Sequence, residues 1–248
     1  MIKIKTDAEL EIQRVACRMT RDTLLEVEKH IKPGVSTKQL DKIAYDYIVS
    51  LGAKPSFKGY EGYPATICAS INDEIVHGIP SKHRILQEGD IISIDVGACY
   101  KGYHGDAART FPVGKIDAKL KKLIDVTKES FFEGIKNIRA GNFVGDISHQ
   151  VQTYVEKNGF SIVRELTGHG VGTDMHEDPY VPNYGKAGSG AKLVKNMVIA
   201  VEPMVNMGSR YVQFMPDGWT CKTQDGMPAA HYENTILITE DGVEILTL

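Results

Sequence analysis

The sequence predicts an α+β fold made of two related halves, and three observations predict it. Helix-like periodicity precedes strand-like runs and hairpins in each half, which favours grouped helices and strands over a parallel βαβ sheet. A faint repeat runs at an offset of 107 positions: Ile31-Lys32-Pro33-Gly34 matches Ile138-Arg139-Ala140-Gly141, and Leu40, Tyr47, Ile48 and Gly52 match Ile147, Tyr154, Val155 and Gly159. The strand-like run Ile91-Ile92-Ser93-Ile94-Asp95 then matches Val198-Ile199-Ala200-Val201-Glu202, carboxylate on carboxylate. Halves that present an acid at the same strand end, paired about a pseudo-two-fold axis, bring the two acids together, a natural way to build a two-metal site.

The elements follow in order. Thr6-Asp7-Ala8-Glu9 reads as a capping box opening a helix with Ile12, Val15, Met19, Val27 and Ile31 as its apolar stripe, stopped by Pro33-Gly34. Ser36-Thr37-Lys38-Gln39 caps a second helix whose Leu40, Ile43, Tyr47 and Leu51 face inward. Thr66 to Asn72 is strand-like, and Ile91–Ala98 with Tyr103–Phe111 forms a hairpin turned near Lys101-Gly102. In the second half, helices are expected over about Asp117–Ile138 and Asp146–Lys157, then strands around Ile162–Leu166, Met197–Met204, Tyr211–Phe214 and Tyr232–Thr239. No low-complexity linker divides the chain, so residues 1–248 read as one domain with halves of about 1–112 and 113–248.

Composition narrows the function. With 42% hydrophobic and 25% charged residues in 248, the chain is globular and long enough for a substantial core. A net charge of −3 gives no field for nucleic acid, and no basic cluster suggests a membrane surface. Neither a signal-type apolar segment nor a spanning run is present, so a cytoplasmic protein is expected. Cys17, Cys68, Cys99 and Cys221 are scattered and read as reduced thiols.

The chemistry-bearing residues are Asp95, Asp106, His169, Glu202 and Glu233. Asp95 and Asp106 sit on the two arms of the hairpin. They are directly opposite or diagonal according to the turn, and on the same face in either register. Acids that close repel unless a cation joins them. Glu202 and Glu233 each abut an apolar strand. His169 lies in Gly168-His169-Gly170-Val171-Gly172, which superficially suggests a dinucleotide loop, but Thr173–Pro179 cannot open the helix that such a loop needs. The glycines there imply close backbone approach and an exposed imidazole. Four carboxylates and one neutral imidazole sum to −4, which two divalent ions cancel, and the oxygen-rich donor set suits Mn, Fe(II), Co or Zn. His231, two residues before Glu233, shares its face on a strand and is expected to orient Glu233 or its neighbours.

With these residues in place, the whole chain resembles the type I methionine aminopeptidases of the M24 family, in their short bacterial form. The resemblance is carried by Gly59–Pro64, Asn72–Pro80, Gly89–Ile91, Ile94–Val96, Tyr103–Asp106, Gly168–Gly172, Glu202-Pro203 and Tyr232–Thr235. It implies a pita-bread fold and removal of the initiator methionine from nascent chains when the next residue is small. It further implies two metals bridged by Asp106 and Glu233, one completed by Asp95 and the other by His169 and Glu202. A bridging water is then the nucleophile, Glu202 shuttles its proton, His176 meets the scissile carbonyl, and His77 reaches the departing nitrogen. Phe57, Tyr60, Tyr63, Cys68, Met175 and Trp219 become the expected walls of a methionine pocket. The resemblance also implies a monomer, with nascent N-termini as partners and the ribosome as a candidate one. Phe57, Met175 and Gly97 depart from the common bacterial pattern, which has cysteine, an aromatic and threonine there. Two other readings are a proline-specific relative, whose extra N-terminal domain is missing here, and a catalytically dead binding module, which typically loses ligands that this chain keeps.

Overall fold

A computed structural model describes all 248 residues. Four helices are present: α1 (Asp7–Glu28), α2 (Thr37–Ser50), α3 (Ala118–Ile135) and α4 (Val144–Lys157). Thr6 and Ser36 close capping boxes with Glu9 and Gln39, and Asp117 accepts the Lys119 amide to start α3. A nine-stranded sheet lies in front of them, every pairing in it antiparallel. With its helices it forms the pita-bread arrangement.

The two largest cores are each drawn mainly from one half, and smaller clusters such as Leu10 and Cys17 with Val198 and Leu237 join them. Leu40, Ala44 and Ile48 of α2 pack with Ile67, Ile92, Ile94 and Val96 of the first-half strands. Phe131 of α3 and Ile147 and Val151 of α4 pack with Ile199, Val201 and Ile236 of the second-half strands. The halves join where the Glu233–Ile238 strand pairs with the Tyr103–Pro112 strand, Glu233 against Ala108 and Asn234 against Ala107. Arg109 reinforces this seam: its Nη2 donates to Asn234 Oδ1 at 2.6 Å, its Nη1 donates to the Glu233 carbonyl, and its guanidinium lies 4.2 Å from the Tyr232 ring centre.

The helix faces differ from the expected stripes. α1 buries Leu10, Gln13, Ala16, Cys17, Thr20, Leu24 and Val27, while Ile12, Val15 and Met19 are only partly covered. Close approach decides this: a Cβ on Gly105 would stand 2.6 Å from Cys17 Cα, so the helix must turn small residues to the hairpin. Two of its buried polar groups donate to carbonyls, Gln13 Nε2 to that of Val171 at 3.0 Å and Thr20 Oγ1 to that of Gly105 at 3.1 Å. In α2 the buried face is Leu40, Asp41, Ala44 and Ile48, with Ile43, Tyr47 and Leu51 at its margin. Asp41 earns burial by accepting the Thr66 amide at 2.7 Å. The expected Met197–Met204 strand is broken at Glu202-Pro203 into Val198–Val201 and Met204–Asn206, because proline cannot donate to a ladder. The expected Ile162–Leu166 strand shortens to Ser161–Ile162.

Candidate metal centre

The hairpin turn sets the first two acids. Lys101 and Gly102 both have positive φ, +49° and +82°, the geometry of a two-residue turn that matches the twist of its strands. Tyr100 therefore pairs with Tyr103, Gly97 with Asp106 and Asp95 with Ala108. Asp95 and Asp106 are diagonal neighbours, the second of the two registers open from sequence. Ala108 faces Asp95 on one side and Glu233 on the other, so these two acids flank one small residue across three strands. Asn234 pairs with Val201, which carries Glu202 to the side of Glu233.

His169 completes the cluster from the Thr167–Gly170 strand. Its Nε2 is 3.5 Å from Asp106 Oδ2 and 3.6 Å from Glu202 Oε1. The ring is buried, at 5% exposure, contrary to the exposed imidazole expected from its glycines. Those glycines draw neighbouring strands in rather than opening the ring to water: a Cβ on Gly168 would lie 2.4 Å from the Ala200 carbonyl, and one on Gly170 2.3 Å from that of Asp178. His169 Nδ1 donates to the Gly170 carbonyl at 2.9 Å, which leaves the Nε2 lone pair for the acids' side.

The electrostatics of this cluster call for a cation. Burial pushes the Asp95 carboxyl well above its usual range, and repulsion from Asp106 and Glu202 adds to it. Glu233 is raised well above by burial and then by the same neighbours, and Asp106 is raised by burial although His169 opposes. Asp95 Oδ1, Asp106 Oδ1 and Glu233 Oε1 are buried with no hydrogen-bond partner. Native proteins rarely leave such atoms unpaired, and divalent ions among these side chains would supply the missing partners. Ligand atoms of Asp106, His169 and Glu233 lie within 4.8 Å of one another, as do those of Asp95, His231 and Glu233. The donor set fits divalent metals.

An apolar cleft of about 160 Å³ opens beside the acids. Phe57, Tyr60, Tyr63, Cys68 and Trp219 line it together with His77, His176 and the five acid and imidazole residues above. Met175 packs in the same cluster as Phe57, Tyr63 and Cys68 but is 1% exposed and stands behind the wall. Tyr63 anchors the wall by donating to the carbonyls of Ile67 and Gly78 at 3.0 and 3.2 Å. Phe57 and Gly97 are coupled: a Cβ at position 97 would lie 2.7 Å from Phe57 Cε1 and 2.7 Å from Ser56 Cβ. The two departures at these positions are thus one packing solution. Glu61, at the exposed rim with φ +48°, is a lining residue that sequence reasoning missed.

His176 stands at the cleft mouth, its ring centre 4.1 Å from that of His169 and its Nδ1 2.9 Å from the Tyr60 hydroxyl. Desolvation by the cleft walls, then the neighbouring His169, pushes its pKa down to about 4. Burial likewise lowers His77. Both rings are neutral near pH 7. The loop that carries Met175 and His176 wraps an ammonium from the N-terminal segment. Lys5 Nζ is 2.5 Å from Glu177 Oε2, with side chains 4% and 2% exposed, and Lys3 Nζ reaches Glu177 Oε1 at 3.1 Å. No sequence pattern flags this pair.

Four acids and an imidazole gathered on the seam of a two-part sheet, beside an apolar cleft, define a metallohydrolase type of centre. The chain belongs to metallopeptidase family M24, whose profile matches residues 11–240. It is 56% identical over 248 residues to "Methionine aminopeptidase" of Clostridium acetobutylicum, covering 100% of this chain and 99% of that one. It is 55% identical over 247 residues to "Methionine aminopeptidase 1" of Bacillus subtilis, with 100% and 99% covered. Among solved structures, methionine aminopeptidase from Thermotoga maritima superposes with a TM-score of 0.98 at 47% identity, covering 100% of this chain and 99% of that one. A Xaa-Pro dipeptidase from Bacillus anthracis superposes at 0.79 with 26% identity, and this chain covers 61% of its length.

Proposed function

We infer that this protein is a methionyl aminopeptidase that removes the initiator methionine from nascent chains whose second residue is small. The observation that carries this reading is the convergence of Asp95, Asp106, His169, Glu202 and Glu233, three with unpartnered buried oxygens, beside a cleft walled by aromatics and a thiol. Aromatic edges and sulfur suit a polarisable thioether. In this reading Asp95, Asp106, His169, Glu202 and Glu233 would together hold two divalent ions. When bound there, the ions lower the pKa of a water and polarise the scissile carbonyl.

The chain's own groups carry the remaining work. Glu202, the least buried of the second-half ligands, takes the proton of the attacking water and hands it to the leaving amine. With the Tyr60 hydroxyl donating to His176 Nδ1, the ring keeps its proton on Nε2 and donates it to the carbonyl oxygen as negative charge grows there. Neutral His77 meets the departing nitrogen. Phe57, Tyr60, Tyr63, Cys68 and Trp219 exclude water around the methionine side chain, and Met175 backs them.

We read residues 1–248 as one catalytic domain, acting as a monomer in the cytoplasm where N-termini emerge from ribosomes. The decisive experiment offers Met-Ala-Ser and Xaa-Pro peptides to the purified protein with Mn(II), Co(II), Fe(II) or Zn(II). Release of methionine from the first peptide is expected. A protein that leaves it intact with every ion, or prefers the Xaa-Pro peptide, defeats the reading.

A further inference from the structure

We propose that His231 is a metal ligand of this centre, a second imidazole that faces the other carboxylate oxygen of Glu202 from the one His169 faces. The proposal rests on the reading that the acids hold divalent ions, and adds a donor to the five already named.

The ring of His231 is 1% exposed, and neither Nδ1 nor Nε2 has a hydrogen-bond partner. A buried imidazole normally places at least one nitrogen on an acceptor or donor. Here Nε2 is directed at carboxylates, 3.6 Å from Glu202 Oε2 and 3.9 Å from Glu233 Oε2. Both distances exceed a hydrogen bond, so the ring does not orient Glu233 by donating to it, as the sequence suggested. They match the spacing of His169, whose Nε2 is 3.5 Å from Asp106 Oδ2 and 3.6 Å from Glu202 Oε1. Each oxygen of Glu202 therefore has its own imidazole at the same separation. Donors bound to one ion at about 2.0–2.2 Å sit roughly 3–3.5 Å apart, which a small side-chain adjustment reaches.

Residue 231 is also held in place. Its amide donates to Thr110 Oγ1 at 2.8 Å, and the Thr110 hydroxyl donates back to its carbonyl at 2.9 Å. Ser93 Oγ lies 2.8 Å from Thr110 Oγ1 and steadies that hydroxyl. His231 pairs with Met204, just beyond Glu202-Pro203. Asp95, His231 and Glu233 thus offer three ligand atoms within 4.8 Å of one another, a group distinct from Asp106, His169 and Glu233. A second nitrogen donor moves an oxygen-rich site away from Mn(II) and towards Co(II) and Zn(II).

Proton NMR of the Co(II)-loaded protein tests this, because each cobalt-bound imidazole gives a hyperfine-shifted, exchangeable N–H resonance. Two such resonances are expected in the wild type and one in H231Q, with Zn(II) affinity by calorimetry about 10-fold or more lower in the variant. A single resonance in the wild type overturns the proposal whether or not H231Q folds. It leaves the functional reading standing if the same sample releases methionine from Met-Ala-Ser. Failure of the wild type to take up cobalt overturns both.

Discussion

Replacing Lys5 by methionine isolates the contribution of a charge that holds the loop carrying His176 without lining the cleft. The substitution keeps an unbranched stem of similar length and removes the ammonium that Glu177 faces at 2.5 Å. Breaking a buried ion pair by deleting one partner costs about 3–5 kcal/mol. Glu177 is not left bare: Lys3 Nζ stays at 3.1 Å, and the Asp174 amide still donates to it at 3.2 Å. We therefore expect a loss at or below the bottom of that range, about 2–3 kcal/mol, or roughly 4–12 °C in Tm for a chain of this size. Burial alone would raise the Glu177 carboxyl, but the Lys5 hydrogen bond and the Asp174 amide outweigh it and hold it below the usual range. A depressed folded pKa gives stability that is present above the unfolded value near about 4.3 and lost as pH falls through the folded one. K5M should accordingly lose less stability on acidification than the wild type. Because the loop ending at Glu177 carries Met175 and His176, kcat should fall while metal content is retained. The assay pairs thermal unfolding at several pH values with steady-state kinetics on a methionyl peptide. A Tm within 1 °C of wild type together with unchanged kcat would refute the argument.

Other predictions follow from the same geometry. Metal-free protein should lose stability as pH rises above about 4, because Asp95, Asp106 and Glu233 titrate higher folded than unfolded, so the folded state holds more protons in that window. The Tm gain from divalent ions should consequently widen towards alkaline pH, and a flat metal-free Tm between about pH 5 and 8 contradicts this. G97T should push Phe57 and Ser56 off the Ile91–Tyr100 strand, destabilise by about 1–3 kcal/mol and raise KM for methionyl peptides. The F57C/G97T pair should recover much of both losses, and no recovery would show that the two positions are not coupled. H176A should lower kcat about 10²–10³-fold with metal binding intact. Since His176 titrates near about 4, a pH–rate inflection near 6 that vanishes in H176A would count against its neutral role.

Much of the centre was legible in the sequence because several of its acids abut apolar strand-like runs. Asp95 closes Ile-Ile-Ser-Ile, Glu202 closes Val-Ile-Ala-Val, and the Lys101-Gly102 turn fixes which residues of the hairpin face each other. Local signals also placed the starts of three of the four helices, at Thr6, Ser36 and Asp117. What escaped was set by contact across the chain. The buried face of α1 follows the demand of Gly105 for small neighbours rather than the hydrophobic stripe. The Thr167–Gly170 strand carries two glycines in four residues and so lacks strand propensity, and its burial of His169 depends on strands distant in sequence. Lys5 and Glu177 are 172 residues apart, and neither residue type in isolation announces a buried pair.

The seam between the halves has a consequence for assembly. Asp95 and Asp106 come from one side of it and His169, Glu202 and Glu233 from the other, so neither part owns a complete coordination shell. Divalent ions would then act as a clasp across the join. Chains severed in the connection that precedes α3 should reassociate more tightly when metal is supplied, and a chelator should loosen them.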